Sequence, residues 1–136
     1  MAGRHGRRIL VVEDEDDLRF LLCDLLKQAG YDVDEAPDGQ TCMDKIAAGA
    51  PDLVLLDLVM PRVSGWGVLQ WLRGVDDAPP VIVLSGMGDR DTLARTVSEG
   101  ATLAFAKPFT YSELLSACDA LAVNEAPEMR EVPSAR

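Results

Sequence analysis

The sequence is poor in the residues that several common chemistries need. It has one histidine, His5, in an amino-terminal stretch without hydrophobic period, where it is not taken as a ligand or a base. The three cysteines, Cys23, Cys42 and Cys118, are an odd number with no CxxC spacing, so neither a disulfide framework nor a thiolate metal site is indicated. Each falls in a helical pattern and is expected to pack as a small apolar residue in a reducing, cytoplasmic setting. No glycine-rich loop follows the first predicted strand, where the chain reads VVEDEDD instead; that argues against a nucleotide-binding fingerprint. No apolar run approaches membrane-spanning length, and the amino-terminal arginines are not followed by the apolar stretch of a secretory signal. Positive charge is scarce too. Thirteen Lys and Arg against 23 Asp and Glu leave a net charge of −10, which excludes a nucleic-acid footprint over the whole domain. The one basic cluster, Arg4, Arg7 and Arg8, is read as a solvated tail, with residues 1–7 disordered.

What is present is a chain of 136 residues, enough for one domain with a full core. Its organising stretch is Leu53-Val54-Leu55-Leu56, an apolar run that ends in the carboxylate Asp57. Met60-Pro61 stop the strand and Gly65 allows a tight turn into the next helix. Such a run, bounded by Pro51 and Pro61, predicts a strand buried on both faces, as in the middle of a parallel sheet. Ligand sites in such sheets lie beyond the carboxyl ends of the strands, which puts Asp57 at the mouth of one.

The remaining chain alternates in the same way. Arg8 to Val12 predicts a first strand ending in Glu13 and Asp14. A helix follows, with Leu18, Leu21, Leu22, Leu25 and Leu26 as its apolar stripe, Asp16 and Asp17 in its first turn, and Gly30 as its left-handed terminator. Tyr31 to Ala36 alternates and suits a less buried edge strand. Pro37-Asp38-Gly39 is turn chemistry. Gln40 to Ala48 predicts a second helix with Cys42, Met43, Ile46 and Ala47 inward, and Gly65 to Arg73 a third with Trp66, Leu69 and Leu72 inward. Val81 to Leu84 is a fourth strand ending in Ser85. A fourth helix, capped by Asp89 or Asp91, runs to about Glu99. Thr102 to Ala106 is a fifth strand ending in Lys107-Pro108, and Tyr111 to Ala122 a fifth helix capped by Thr110 or Ser112. Residues 123–136 read as a flexible tail or the start of a linker. Five strands and five helices in strict alternation predict a parallel sheet with helices on both faces and right-handed crossovers.

The strand ends carry the chemistry. Glu13, Asp14, Asp57, Ser85 and Lys107 all point at one rim of one sheet. Carboxylates clustered without enough cations repel, unless a metal joins them. Their hard oxygens suit Mg²⁺, with Mn²⁺ as the alternative, rather than zinc. A lysine and a hydroxyl beside a metal-bound carboxylate suit a dianionic oxyanion such as a phosphoryl group. On these grounds Asp57 is either a metal ligand alone or a nucleophile that takes a phosphoryl group.

With VVEDE after the first strand, DLVLLDLVMP-RVSG around the third, VIVLSG at the fourth and GATLAFAKPF at the fifth, the chain resembles the receiver domain of two-component response regulators, over about residues 8–122. The resemblance implies a flavodoxin-like (βα)5 sandwich with strand order 2-1-3-4-5. It implies Asp57 as phosphoacceptor, Mg²⁺ on Asp14, Asp57 and the Val59 backbone carbonyl, and Glu13 as an indirect ligand. It implies Ser85 and Lys107 as the phosphoryl-binding and switch residues, and a cis bond before Pro108. The phosphoryl donor would be a phosphohistidine on a sensor kinase or phosphotransfer protein. The output would be a shift of the face formed by the fourth helix, fifth strand and fifth helix, read by a downstream protein or by a weak homodimer through that face. Such a chain is a signalling phosphoacceptor rather than an enzyme, with no nucleic-acid or membrane partner of its own. Val59 and Met87 are expected to flank the phosphoryl group and limit water there.

Two departures from the family's pattern stand out. The position three before the lysine, where many receivers carry Tyr or Phe as a rotamer switch, is Ala104; Phe105, next in the strand, should face the other way. A groove at Ala104 for a partner to fill is one consequence. The last helix also lacks the Arg-rich pattern that winged-helix regulators use for pairing, so a stand-alone receiver, or one cut from a longer chain with another output, is expected. An aspartyl phosphatase would carry a second acid two residues after the nucleophile, where this chain has Val59. The rival reading is a receiver-like interaction module that is not phosphorylated; a third is the amino-terminal receiver of a longer regulator or hybrid kinase.

Overall fold

The computed structural model describes residues 3–86 and 90–123. Five strands, β1 (Arg8–Val12), β2 (Asp32–Ala36), β3 (Leu53–Asp57), β4 (Val81–Ser85) and β5 (Leu103–Ala106), alternate with five helices, α1 (Asp16–Gln28), α2 (Gly39–Ala48), α3 (Gly65–Leu72), α4 (Arg90–Ser98) and α5 (Tyr111–Cys118). All strand pairs are parallel and their order is β2-β1-β3-β4-β5. This is the flavodoxin-like arrangement. No helix among the described residues is long and apolar enough to cross a membrane.

The strand sequences explain the layering. Successive side chains of a strand face opposite ways, and β1, β3 and β4 are apolar at every turn, so both faces of the sheet need cover. On one face Leu10, Val12, Val54, Leu56 and Val83 pack with Cys42 and Ile46 of α2 and Val68, Leu69 and Leu72 of α3. On the other, Ile9, Val11, Leu53, Leu55, Ile82 and Leu84 pack with Leu22, Cys23 and Leu26 of α1 and Leu114 and Cys118 of α5. β2 lies at the sheet edge and is less buried than β1, β3 and β4, as expected, but Val33, Asp34 and Glu35 are all half-buried rather than alternating. All three cysteines are free and buried, and burial pushes the Cys42 and Cys118 thiols up to about 12.

Local chemistry sets the helix ends. Asp38 caps α2 by accepting from the Thr41 N–H at 2.7 Å. Ser64 caps α3, and Thr110 with Glu113 forms a capping box on α5. Gly30 and Gly100, with φ of 112° and 121°, end the segments after α1 and α4. Asp91 lies within the first turn of α4; Asp89, Met87 and the tail from residue 124 fall outside the described residues.

Four expectations are corrected. Arg4 is docked rather than part of a disordered, solvated tail: it donates two hydrogen bonds to the Asp119 carboxylate and one to the Ala29 carbonyl, and lies over the Tyr31 ring. The buried face of α1 is Arg19, Leu22, Cys23 and Leu26, while Leu21 is 53% exposed. Those four recur at i, i+3, i+4 and i+7, so Leu21 falls on the flank of the stripe. Ala47 of α2 is exposed, because Cys42 and Ile46, four apart, already define the inward line. The last helix is α only to Cys118 and continues as a π-helical turn over Asp119–Val123, where Asp119 is held by Arg4 and the Tyr31 hydroxyl.

Candidate functional site

The rim beyond the carboxyl ends of β1, β3, β4 and β5 is assembled by register. Val12 pairs with Leu56, Asp57 with Leu84, and Ser85 with Ala106. The residues that end or follow those pairs, Glu13, Asp14, Asp57, Ser85 and Lys107, therefore come together although up to 94 positions separate them.

Glu13, Asp14 and Asp57 each present a carboxylate oxygen, and the three atoms lie within 4.8 Å of one another. Glu13 and Asp57 are buried, Asp14 exposed. The Lys107 ammonium donates to Glu13 Oε1 at 3.0 Å and stands 3.7 Å from Asp57 Oδ2. Lysine is thus bonded to Glu13 and only ion-paired with Asp57. The other Glu13 oxygen accepts from the Glu15 N–H at 3.2 Å, and Asp57 Oδ1 accepts from the Val59 N–H at 3.4 Å. Burial, then the neighbouring Glu13, raise the Asp57 carboxyl from 3.8 to about 6, against the pull of Lys107.

Among the described residues, three carboxylates against one ammonium leave the cluster short of positive charge, and their hard oxygens at this spacing fit a small divalent cation such as Mg²⁺. Ser85 is fully buried at the end of β4, and its carbonyl accepts from the Lys107 N–H at 2.7 Å. Val59 is 62% exposed beside Asp57. The Lys107–Pro108 bond is cis. Ala104 packs with the α2–α3 side of the core and Phe105 with the α1–α5 side, so they do face opposite ways. At Ala104 a groove of about 580 Å³ opens toward α4, lined also by Arg90, Leu93, Ala94 and Val97.

A family model described as response regulator receiver domain matches residues 9–119. The chain belongs to this family. The receiver is 33% identical over 112 residues to sporulation initiation phosphotransferase F of Bacillus subtilis, covering 82% of this chain and 90% of that one. It is 40% identical over 124 residues to response regulator MprA of Mycobacterium tuberculosis, covering 89% of this chain and 53% of that one, so it spans about half of MprA. The solved structure of response regulator TrrA from Thermotoga maritima, in complex with Mg²⁺ and beryllofluoride, superposes with a TM-score of 0.76 at 33% identity, over 85% of this chain and 98% of that one.

Sequence reasoning missed what supports this receiver's rim. The Asp38 side chain that caps α2 also accepts from Arg62 at 3.2 Å, tying the loop after Asp57 to the start of α2. Arg62 adopts a left-handed backbone, φ 68°. Arg19 was invisible as a functional residue because a charge four positions into an amphipathic helix ordinarily faces water. Here its guanidinium is buried and pairs with Glu35 at 2.8 Å, with Asp16 at 2.7 Å and with the Glu13 carbonyl at 2.9 Å. Burial works against its charge, but the bonds to Glu35 and Asp16 outweigh it and raise its pKa.

Proposed function

We propose that this receiver is a phosphoacceptor in a two-component relay, with Asp57 taking a phosphoryl group from a phosphohistidine on a sensor kinase or phosphotransfer protein. The observation that carries the reading is a buried carboxylate, Asp57, ending a central strand within an acid cluster that one lysine faces. A carboxylate oxygen of Asp57 attacks phosphorus, the phosphorus–nitrogen bond breaks, and the imidazole leaves with the electron pair and takes its proton from water. Lys107 and the Ser85 hydroxyl stabilise the phosphoryl oxygens, so the receiver contributes positioning and charge. Mg²⁺, held by Asp14, Asp57 and the Val59 carbonyl with Glu13 behind them, would neutralise charge on the transferring group. Phosphorylated Asp57 engages Ser85 and shifts the face of α4, β5 and α5 toward a downstream protein or a weak homodimer. The setting is cytoplasmic.

The donor's docking surface follows from the exposed flank of α1. Phe20 and Leu21 are 55% and 53% exposed, and a groove of about 300 Å³ lined by Leu18, Leu21, Leu25, Pro108, Phe109 and Tyr111 runs from α1 to Lys107. A helical donor seated there brings its histidine to the rim. Leu21→Ala is expected to slow transfer from a phosphohistidine protein about tenfold, the effect of losing ~1.4 kcal/mol of contact. Phosphorylation by acetyl phosphate, which needs no docking, is expected to be unchanged. Equal slowing with both donors would remove the docking role.

The reading as a whole is tested by intact mass after incubation with acetyl phosphate. One phosphoryl adduct that requires Mg²⁺ is expected. No adduct, together with no beryllofluoride complex in a folded protein, would favour an interaction module that is not phosphorylated.

A further inference from the structure

We infer that Arg19 is a positioning residue for the acid cluster: by holding the Glu13 carbonyl it sets the peptide plane on which Asp14 is presented. The inference rests on reading that cluster as a Mg²⁺ site and adds a residue to it.

Asp14 is the exposed member of the cluster, and no hydrogen bond or ion pair of its carboxylate is found among the described residues. Its direction is therefore inherited from the backbone. The peptide that joins Glu13 to Asp14 carries the Glu13 carbonyl, and that oxygen accepts from the buried Arg19 guanidinium at 2.9 Å. One residue back, the Glu13 N–H donates to the Ala36 carbonyl of β2 at 3.1 Å. The Glu13 side chain is held in turn by Lys107 and by the Glu15 N–H. Glu13 is thus fixed at its amide, its carbonyl and its carboxylate, and among the described residues Arg19 supplies the bond that bears on the peptide of Asp14.

Arg19 is itself fixed. Its Nε–H donates to Glu35 on β2 and its other terminal nitrogen to Asp16 at the start of α1. That start lacks a side-chain cap at Glu15, and the guanidinium, together with the bond from the Glu15 N–H to the Glu13 carboxylate, ties the turn after β1 to the first turn of the helix. The planar fork of arginine serves three acceptors in three directions; a lysine ammonium on a shorter reach cannot hold all three in one geometry. Partners that orient metal ligands from behind alter affinity without touching the metal.

The test is Mg²⁺ affinity measured by calorimetry on the whole chain, without a phosphoryl donor, under conditions where circular dichroism shows each variant folded. Arg19→Met keeps the apolar stem and removes all three bonds; it is expected to weaken Mg²⁺ binding about tenfold or more, as loss of such an outer partner does. Arg19→Lys is expected to fall between it and wild type. Leu26→Ala opens the core under α1 without touching the acid turn and is expected to bind Mg²⁺ as wild type does, with Ile46→Val in its place should it not fold. Arg19→Met binding as tightly as wild type would overturn the inference. So would a core variant that weakens binding as much, since the effect would then be one of stability alone. A wild type with no measurable Mg²⁺ binding would overturn the metal reading and this inference with it, whereas normal binding without phosphorylation would leave Arg19's role standing and sink only the phosphoacceptor reading.

Discussion

Asp57→Asn is expected to abolish the phosphoryl adduct and, in the same protein without Mg²⁺, to raise stability at neutral pH. The first effect follows from chemistry, because an amide is not a nucleophile toward phosphorus at this site. The second follows from electrostatics. Burial and Glu13 hold the folded-state pKa of Asp57 at about 6, above its ordinary 3.8. A carboxylate raised on folding contributes its stability below the unfolded value and loses it as pH climbs through the folded one. Ionised Asp57 therefore costs the fold about 3 kcal/mol above pH 6, from a shift of about two units at 1.36 kcal/mol each. Its side chain is 8% exposed, so solvent screens little of this. Urea melts with chelator present should show the Asn variant ahead of wild type at pH 7.5 and level with it below pH 4. Equal stability at pH 7.5 would mean that Lys107 already compensates the cluster. Saturating Mg²⁺ should narrow the gap by stabilising wild type more than the variant.

Gly65→Ala is the second large effect, and it acts through the backbone. A Cβ at Gly65 would land on the Asp57 carbonyl oxygen and 2.6 Å from Leu58 Cα. Neither atom can yield without moving the end of β3, and the Gly65 N–H already donates to the Leu58 carbonyl at 2.8 Å. The expected cost is about 3 kcal/mol, the upper range for forcing atoms into a packed site, with loss of phosphorylation because the shift displaces Asp57. Gly39→Ala should behave alike, since its Cβ would meet the Val63 carbonyl on the same loop. Gly74→Ala is the control. Its nearest neighbour would be the Trp71 carbonyl at 3.7 Å, and an exposed change of that kind should stay within about 0.5 kcal/mol. Chemical denaturation and acetyl-phosphate labelling of the three variants measure both halves of the prediction. A Gly65→Ala protein as stable as wild type would show that the β3–α3 loop is free to adjust.

Much of the molecule could be read from the chain because its signals are local. An apolar run ending in a charged or hydroxyl residue marks a buried parallel strand and its functional tip, and four such runs bring Glu13, Asp14, Asp57, Ser85 and Lys107 to one edge once the sheet is assumed parallel. Period two separates Ala104 from Phe105, and period 3.6 places Leu22 and Leu26 inward. What could not be read depended on residues distant in sequence meeting in space. Leu21 continues an apolar stripe yet lies at its flank, since the angle at which α1 seats on the sheet is set by neighbours and not by its own pattern. Arg4 looked like part of a solvated tail until Asp119, 115 positions away, met it. Lys107 bonds Glu13 more closely than Asp57, a choice between two carboxylates that only distance decides.

By itself, then, the sequence determined the alternation of strands and helices, the parallel sheet and the set of residues at its rim, because hydrophobic period and strand-end chemistry act over a few residues. The tertiary structure alone decided which buried charges pair, that Arg19 faces inward behind the acid turn, and that Gly39 and Gly65 leave no room for a methyl group. Those outcomes turn on contacts of a few ångström between separate elements, and such contacts exist only once the elements have packed.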